Sequence, residues 1–105
     1  MQKVAFICSP YARLDILVAL DIARLVAIKA KDDGYIPLSP VIAFDNIYKE
    51  TNAQEREVVL KASESLLMKC EIVYVAQTQY KISDGMKREI NLAKCHNIPI
   101  RFISV

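Results

Sequence analysis

The segment Ser83-Asp84-Gly85-Met86-Lys87-Arg88-Glu89 holds a serine suited to capping a helix, one of the chain's two glycines and, six residues after the serine, a carboxylate. The apolar run before it, residues 72–76, reads as a strand, and the spacing predicts that the segment opens a helix. A helix start has free backbone N–H groups and a partial positive charge, so it can hold an anion such as a phosphate. Glu89 follows Gly85 by four residues and shares its helical face. A carboxylate beside an anion-binding helix end suits chemistry on a sugar phosphate or a nucleoside. The same segment also reads as a plain capping serine followed by a solvated glutamate.

The elements that carry this segment alternate along the chain. Residues 3–8 predict a buried strand with no turn signal inside, followed by a loop at Ser9-Pro10-Tyr11-Ala12. Residues 14–31 predict the longest helix, ended by Asp32-Asp33-Gly34, where Gly34 suits a left-handed cap. Residues 35–38 predict a short strand closed by Ser39-Pro40. Residues 41–52 mix apolar and polar types and predict an irregular loop over a site. Residues 53–69 predict a second helix capped by Asn52, with acidic residues early. A third strand (71–76), a loop (77–82), a third helix (83–96) and a last strand (99–103) complete the series. The order β-α-β-α-β-α-β predicts an α/β domain: a mostly parallel sheet of about four strands, with helices on both faces and right-handed crossovers. Ligands of such sheets lie beyond the carboxyl ends of the strands. Residues 9–13, 39–46 and 77–83 are expected to converge there.

The bulk numbers set limits. The 105 residues are expected to form one domain, 1–105, and their richness in Ile, Val, Leu and Ala favours a compact core over disorder. A formal charge of +2, with no basic run, gives no support to a nucleic-acid partner. Cys8, Cys70 and Cys95 are odd in number and lack a Cys-x-x-Cys spacing, which argues against a disulfide framework and a zinc site. Cys8 and Cys70 read as small buried apolar residues. Residues 16–30 are the longest apolar stretch, but Asp21, Arg24 and Lys29 interrupt it, so a membrane span is not expected. No secretory signal is visible, and a reduced, cytoplasmic setting is expected.

The first helix shows two apolar sectors on a helical wheel. Ile16, Ala19, Leu20, Ala23, Val26 and Ala27 form one; Leu14, Val18, Ile22 and Leu25 form the other. One sector is expected to pack on the sheet and the other to meet a second subunit in a homodimer or larger homo-oligomer. The alternative is a helix sunk deeply in its own core.

Three blocks of sequence carry a resemblance that spans nearly the whole chain. They are Val4-Ala5-Phe6-Ile7-Cys8-Ser9-Pro10-Tyr11, Gly34-Tyr35-Ile36-Pro37-Leu38-Ser39-Pro40, and Ser83 to Ile90 with Ala93 and Ile98-Pro99-Ile100. In this order and spacing they resemble the nucleoside 2-deoxyribosyltransferase-like superfamily, above all its small bacterial and phage members described as domains of unknown function. The resemblance implies a flavodoxin-like, three-layer domain. It also implies a glutamate nucleophile, here Glu89, that attacks the anomeric carbon of a nucleoside or nucleotide, releases the base and forms a covalent glycosyl-enzyme. By the same analogy Ser83 binds a 5′-phosphate, with the backbone N–H groups of Gly85 and Met86, while Ser9, Pro10 and Tyr11 line the pocket. No metal or other cofactor is implied. The superfamily's transferases carry an aspartate where Ser83 stands, so Ser83 points toward a nucleotide. Pro40-Val41, Cys70-Glu71 and Tyr74 also depart from the small relatives' pattern. The acid that assists the leaving base is not evident, and Tyr11 and Asp45 are the candidate substitutes.

Other polar residues have plainer roles. His96 suits a helix C-terminus. Glu55-Arg56-Glu57 reads as a solvated helix face, with Arg56 also able to reach a neighbouring subunit's pocket. Lys87 and Arg88 read as surface residues or as phosphate attractors. Tyr35, Tyr48, Tyr74 and Tyr80 read as packing or rim residues. The expected function is N-glycosyl hydrolysis or transfer; the alternatives are a non-catalytic nucleotide or signal binder using the same pocket, and an oligomeric scaffold.

Overall fold

A computed structural model describes residues 2–49 and 51–105. The elements follow in the order β1 (Val4–Cys8), α1 (Ile16–Asp32), β2 (Ile36–Leu38), α2 (Pro40–Ala43), α3 (Ala53–Leu67), β3 (Ile72–Gln77), α4 (Asp84–Cys95) and β4 (Ile100–Ser104). The strands form one parallel sheet in the order β2-β1-β3-β4. Ala5 sits opposite Pro37 on one side and Ile72 on the other, and Val73 sits opposite Ile100. Pro37 cannot donate to a ladder, and its place in an edge strand accommodates that. The expected flavodoxin-like arrangement is present.

Alternation along the two central strands sorts the core into two layers. Ala5, Ile7, Tyr74 and Ala76 meet Ile22, Val26 and Ala30 of α1. Phe6, Cys8, Val73 and Val75 meet Leu67 of α3 and Met86, Ile90 and Ala93 of α4. The sheet is therefore covered on both faces, which is why its central strands read as unbroken apolar runs.

Short-range chemistry sets most boundaries. Asn52 caps α3 by accepting from the Glu55 N–H at 2.8 Å, and Ser83 caps α4 by accepting from the Met86 N–H at 3.2 Å. Gly34 adopts φ +96°, the left-handed conformation expected of it after α1. The stretch 41–52 is not wholly irregular as expected. Ser39 accepts from the Ile42 N–H at 3.2 Å, Pro40 occupies the first helical position, and together they start the single turn of α2.

Helix α1 also corrects its wheel. Ile22 is buried against the sheet and Leu14 packs on the same layer, so neither belongs to an outer sector. The outer face instead carries Leu17, Leu25 and Ile28 around Asp21 and Arg24. Tyr74 is buried and donates to Asp33 Oδ2 at 2.6 Å, which also accepts from Arg101 at 2.8 Å. This cluster ties the end of α1 to β3 and β4. No helix among the described residues is long and apolar enough to cross a membrane.

Candidate functional site

The strand order reverses direction at β1. The chain runs outward from β1 to β2, then crosses back to β3 on the other side, leaving a crevice at the carboxyl ends of β1 and β3. Into it come the loop after β1, the turn after α2, one side of α3 and the start of α4. Ser9, Tyr11, Asp45, Ser83, Gly85, Met86 and Glu89 all line one hollow of about 90 Å³. Pro10 faces a second, adjoining cavity instead.

Glu89 reaches the hollow because α4 presents it one turn beyond Gly85, on the face that packs toward β1. It is mostly shielded from water. Burial pushes its carboxyl up to about 7; a hydrogen bond with the Cys8 thiol pulls the other way, the Glu64 carboxylate raises it further, and Arg88 lowers it. Cys8 lies fully buried at the end of β1, and burial together with Glu89 holds its thiol well above its ordinary value. The thiol therefore keeps its proton, and it also lies within reach of the Met86 carbonyl oxygen, at 3.9 Å. Near neutral pH Glu89 is divided between carboxylate and acid, a poise suited to nucleophilic or proton-transfer work.

The helix start beside it is partly committed. The Met86 N–H already donates to Ser83 Oγ. Ser83 and Gly85 line the hollow, with the dipole of α4 behind them. Gly85 has a second role, because a Cβ there would lie 3.1 Å from Leu60 Cδ2. Its missing side chain lets α3 close against α4. Ser9 is buried, and its Oγ has no hydrogen-bond partner among the described residues. A buried hydroxyl left unpaired costs roughly 1–3 kcal/mol, so Ser9 has a hydrogen bond to give to an occupant of the hollow.

The structure adds Arg56 and Phe44 to the hollow and places Tyr48, expected as a packing or rim residue, on its wall. Arg56, expected on a solvated face, lines the hollow of its own chain. Phe44 and Tyr48 form an edge-to-face pair with centroids 4.9 Å apart and wall the hollow opposite the polar groups. Their spacing of four residues was the available signal. Arg88 is engaged elsewhere: it forks onto Glu57 at 2.9 and 3.2 Å and reaches Glu64 at 2.8 Å. Its guanidinium braces α4 on α3 and does not point toward a phosphate.

A flavodoxin-like sheet with a carboxylate, a helix N-terminus and an aromatic pair around a hollow at its switch point defines the α/β class to which the protein belongs. A family model matches residues 3–103, and the chain belongs to that family, described as a domain of unknown function (DUF7768). Among solved structures, the fold is similar to the 2-deoxyribosyltransferase of the psychrotolerant bacterium Bacillus psychrosaccharolyticus. That enzyme is described as a biocatalyst for the synthesis of antiviral and antitumoral nucleosides. The match has a TM-score of 0.71 at 17% identity and covers 96% of this chain and 72% of that one. The chain thus shares its fold with a 2-deoxyribosyltransferase, in keeping with the resemblance carried by the sequence motifs. A comparison by sequence with curated proteins finds no match.

Proposed function

We propose that this protein cleaves the N-glycosidic bond of a nucleoside or 5′-nucleotide, passing the sugar to water or to a second base, with Glu89 as nucleophile. The observation that carries this reading is the shared hollow: Glu89 lines the same space as the α4 start and Ser9, whose buried hydroxyl has no partner among the described residues. A Glu89 oxygen forms a bond to the anomeric carbon as the carbon–nitrogen bond breaks, and the electron pair leaves with the base. The base takes a proton from Asp45, Tyr11 or water, and both side chains line the hollow. Water or an incoming base then attacks the same carbon and frees Glu89. Phe44 and Tyr48 offer a face for a base, and Ser83 with the Gly85 N–H offers a seat for a 5′-phosphate. The similarity to a 2-deoxyribosyltransferase supports the substrate class.

The test is release of free base from a panel of nucleosides and nucleotides, followed by chromatography. Glu89→Gln should abolish release while nucleotide binding persists. Release at the parent rate by that variant would overturn the mechanism. A second reading, binding without turnover, is motivated by the rim of the hollow at Pro40-Val41, which departs from the small relatives' pattern. Intact recovery of every bound nucleotide would support it. Two buried free cysteines, Cys8 and Cys70, fit a reducing cytoplasm.

A further inference from the structure

A second cavity, of about 440 Å³, adjoins the nucleotide hollow and shares Ala12, Arg56 and Ser83 with it. Arg13 comes to it from the loop after β1, Arg56 from the first turns of α3, and Tyr80 and Lys81 from the loop before α4. Among the described residues, neither Arg13, Arg56 nor Lys81 is in an ion pair. Among the described residues, Asp84, in the first turn of α4, is the one carboxylate that lines it. Three unneutralised cations against one acid, beside a helix N-terminus, make a concavity that attracts anions, and guanidinium groups match phosphate oxygens in pairs.

Position says which anion. The cavity continues from Ser83, the residue that would meet the first phosphate, and leads away from Glu89, where the sugar would react. A group that enters here is attached beyond the 5′-phosphate. The adjoining space, about 440 Å³ against about 90 Å³ for the hollow, has room for further phosphates. The geometry points to a seat for a second phosphate, so that the preferred ligand is a nucleoside 5′-diphosphate or triphosphate. This rests on the nucleotide reading of the neighbouring hollow and names the substrate class within it.

The experiment titrates the full chain, as Glu89→Gln to prevent turnover, with a nucleoside and its mono-, di- and triphosphate by calorimetry at constant ionic strength. The diphosphate should bind at least tenfold more tightly than the monophosphate, and inorganic pyrophosphate should compete where phosphate does not. Adding Arg13→Asn and Lys81→Gln should erase the di- over monophosphate preference and leave monophosphate affinity within threefold. Arg13 has φ +65°, which asparagine tolerates, and Lys81→Gln alone serves if the double variant melts early. Asp84→Asn should strengthen diphosphate binding. Equal affinity for mono- and diphosphate, or a preference that survives removal of both cations, overturns the inference. Base release by the unmodified chain is read separately. Release with no diphosphate preference sinks this inference alone, and preference with no release sinks the glycosidic reading alone.

Discussion

Glu89 carries two consequences that can be separated by pH. Its folded-state value of about 7 lies above its ordinary 4.5. The raised value means that its contribution to stability is present in full below pH 4.5 and is lost as pH rises through about 7. A rise of this size corresponds to roughly 3 kcal/mol at the upper limit, and residual contact with water reduces it to about 2 kcal/mol. Glu89→Gln should therefore stabilise the fold by about 2 kcal/mol at pH 8 and by little at pH 4; urea melts at the two pH values check this. An equal effect at both would mean that the carboxyl is solvated. For catalysis the sign is opposite. A nucleophile must be ionised, so base release should rise with pH to a midpoint near 7, set by Glu89. The residue that lowers stability at neutral pH is the one that the proposed chemistry requires, a trade found where strain is kept for function.

At the scale of elements, the site depends on how α3 and α4 are held together. Gly85 lets Leu60 approach, and Arg88 bridges Glu57 and Glu64 across the two helices. Both ends of that bridge are partly exposed, so its worth is modest, about 1 kcal/mol. Its electrostatic effect on the site is easier to read. Arg88 lowers the Glu89 value and Glu64 raises it. Arg88→Leu should cost about 1 kcal/mol of stability and shift the midpoint of the pH–rate profile upward; Arg88→Lys should restore part of the shift. A variant with unchanged midpoint would show that the bridge only fastens the helices.

For the whole molecule, the outer face of α1 is the open question of assembly. Leu17, Leu25 and Ile28 are 67%, 55% and 51% exposed, and between them lie Asp21 and Arg24. The pattern is self-complementary. An antiparallel pair of α1 helices, related by a two-fold axis between residues 22 and 23, sets Leu17 of one copy against Ile28 of the other and Asp21 against Arg24. We therefore propose that this face pairs two copies of the chain. Light scattering should show a dimer that Leu25→Glu disrupts; exchanging Asp21 and Arg24 within one chain should preserve it. A monomer at all concentrations would refute the pairing.

The four strands and three long helices in their order, the caps at Asn52, Ser83 and Gly34, and the motifs of the resemblance were legible in the sequence, whereas the short α2 was not. The legible features rest on interactions within a few residues and on the periodicity of apolar side chains, which are written locally. The sequence also drew Ser9, Tyr11, Asp45, Ser83 and Glu89 together by resemblance. Tertiary structure alone decided that Arg56 turns inward, that Arg88 is occupied by two glutamates, that Ile22 faces the sheet, and that Cys8 lies against Glu89. Each of these joins residues far apart in the chain, and their meeting depends on the strand order β2-β1-β3-β4, which the whole core selects through packing. The raised value of Glu89 belongs to the same class, because burial is a property of the assembled hollow and not of the segment that carries the carboxylate.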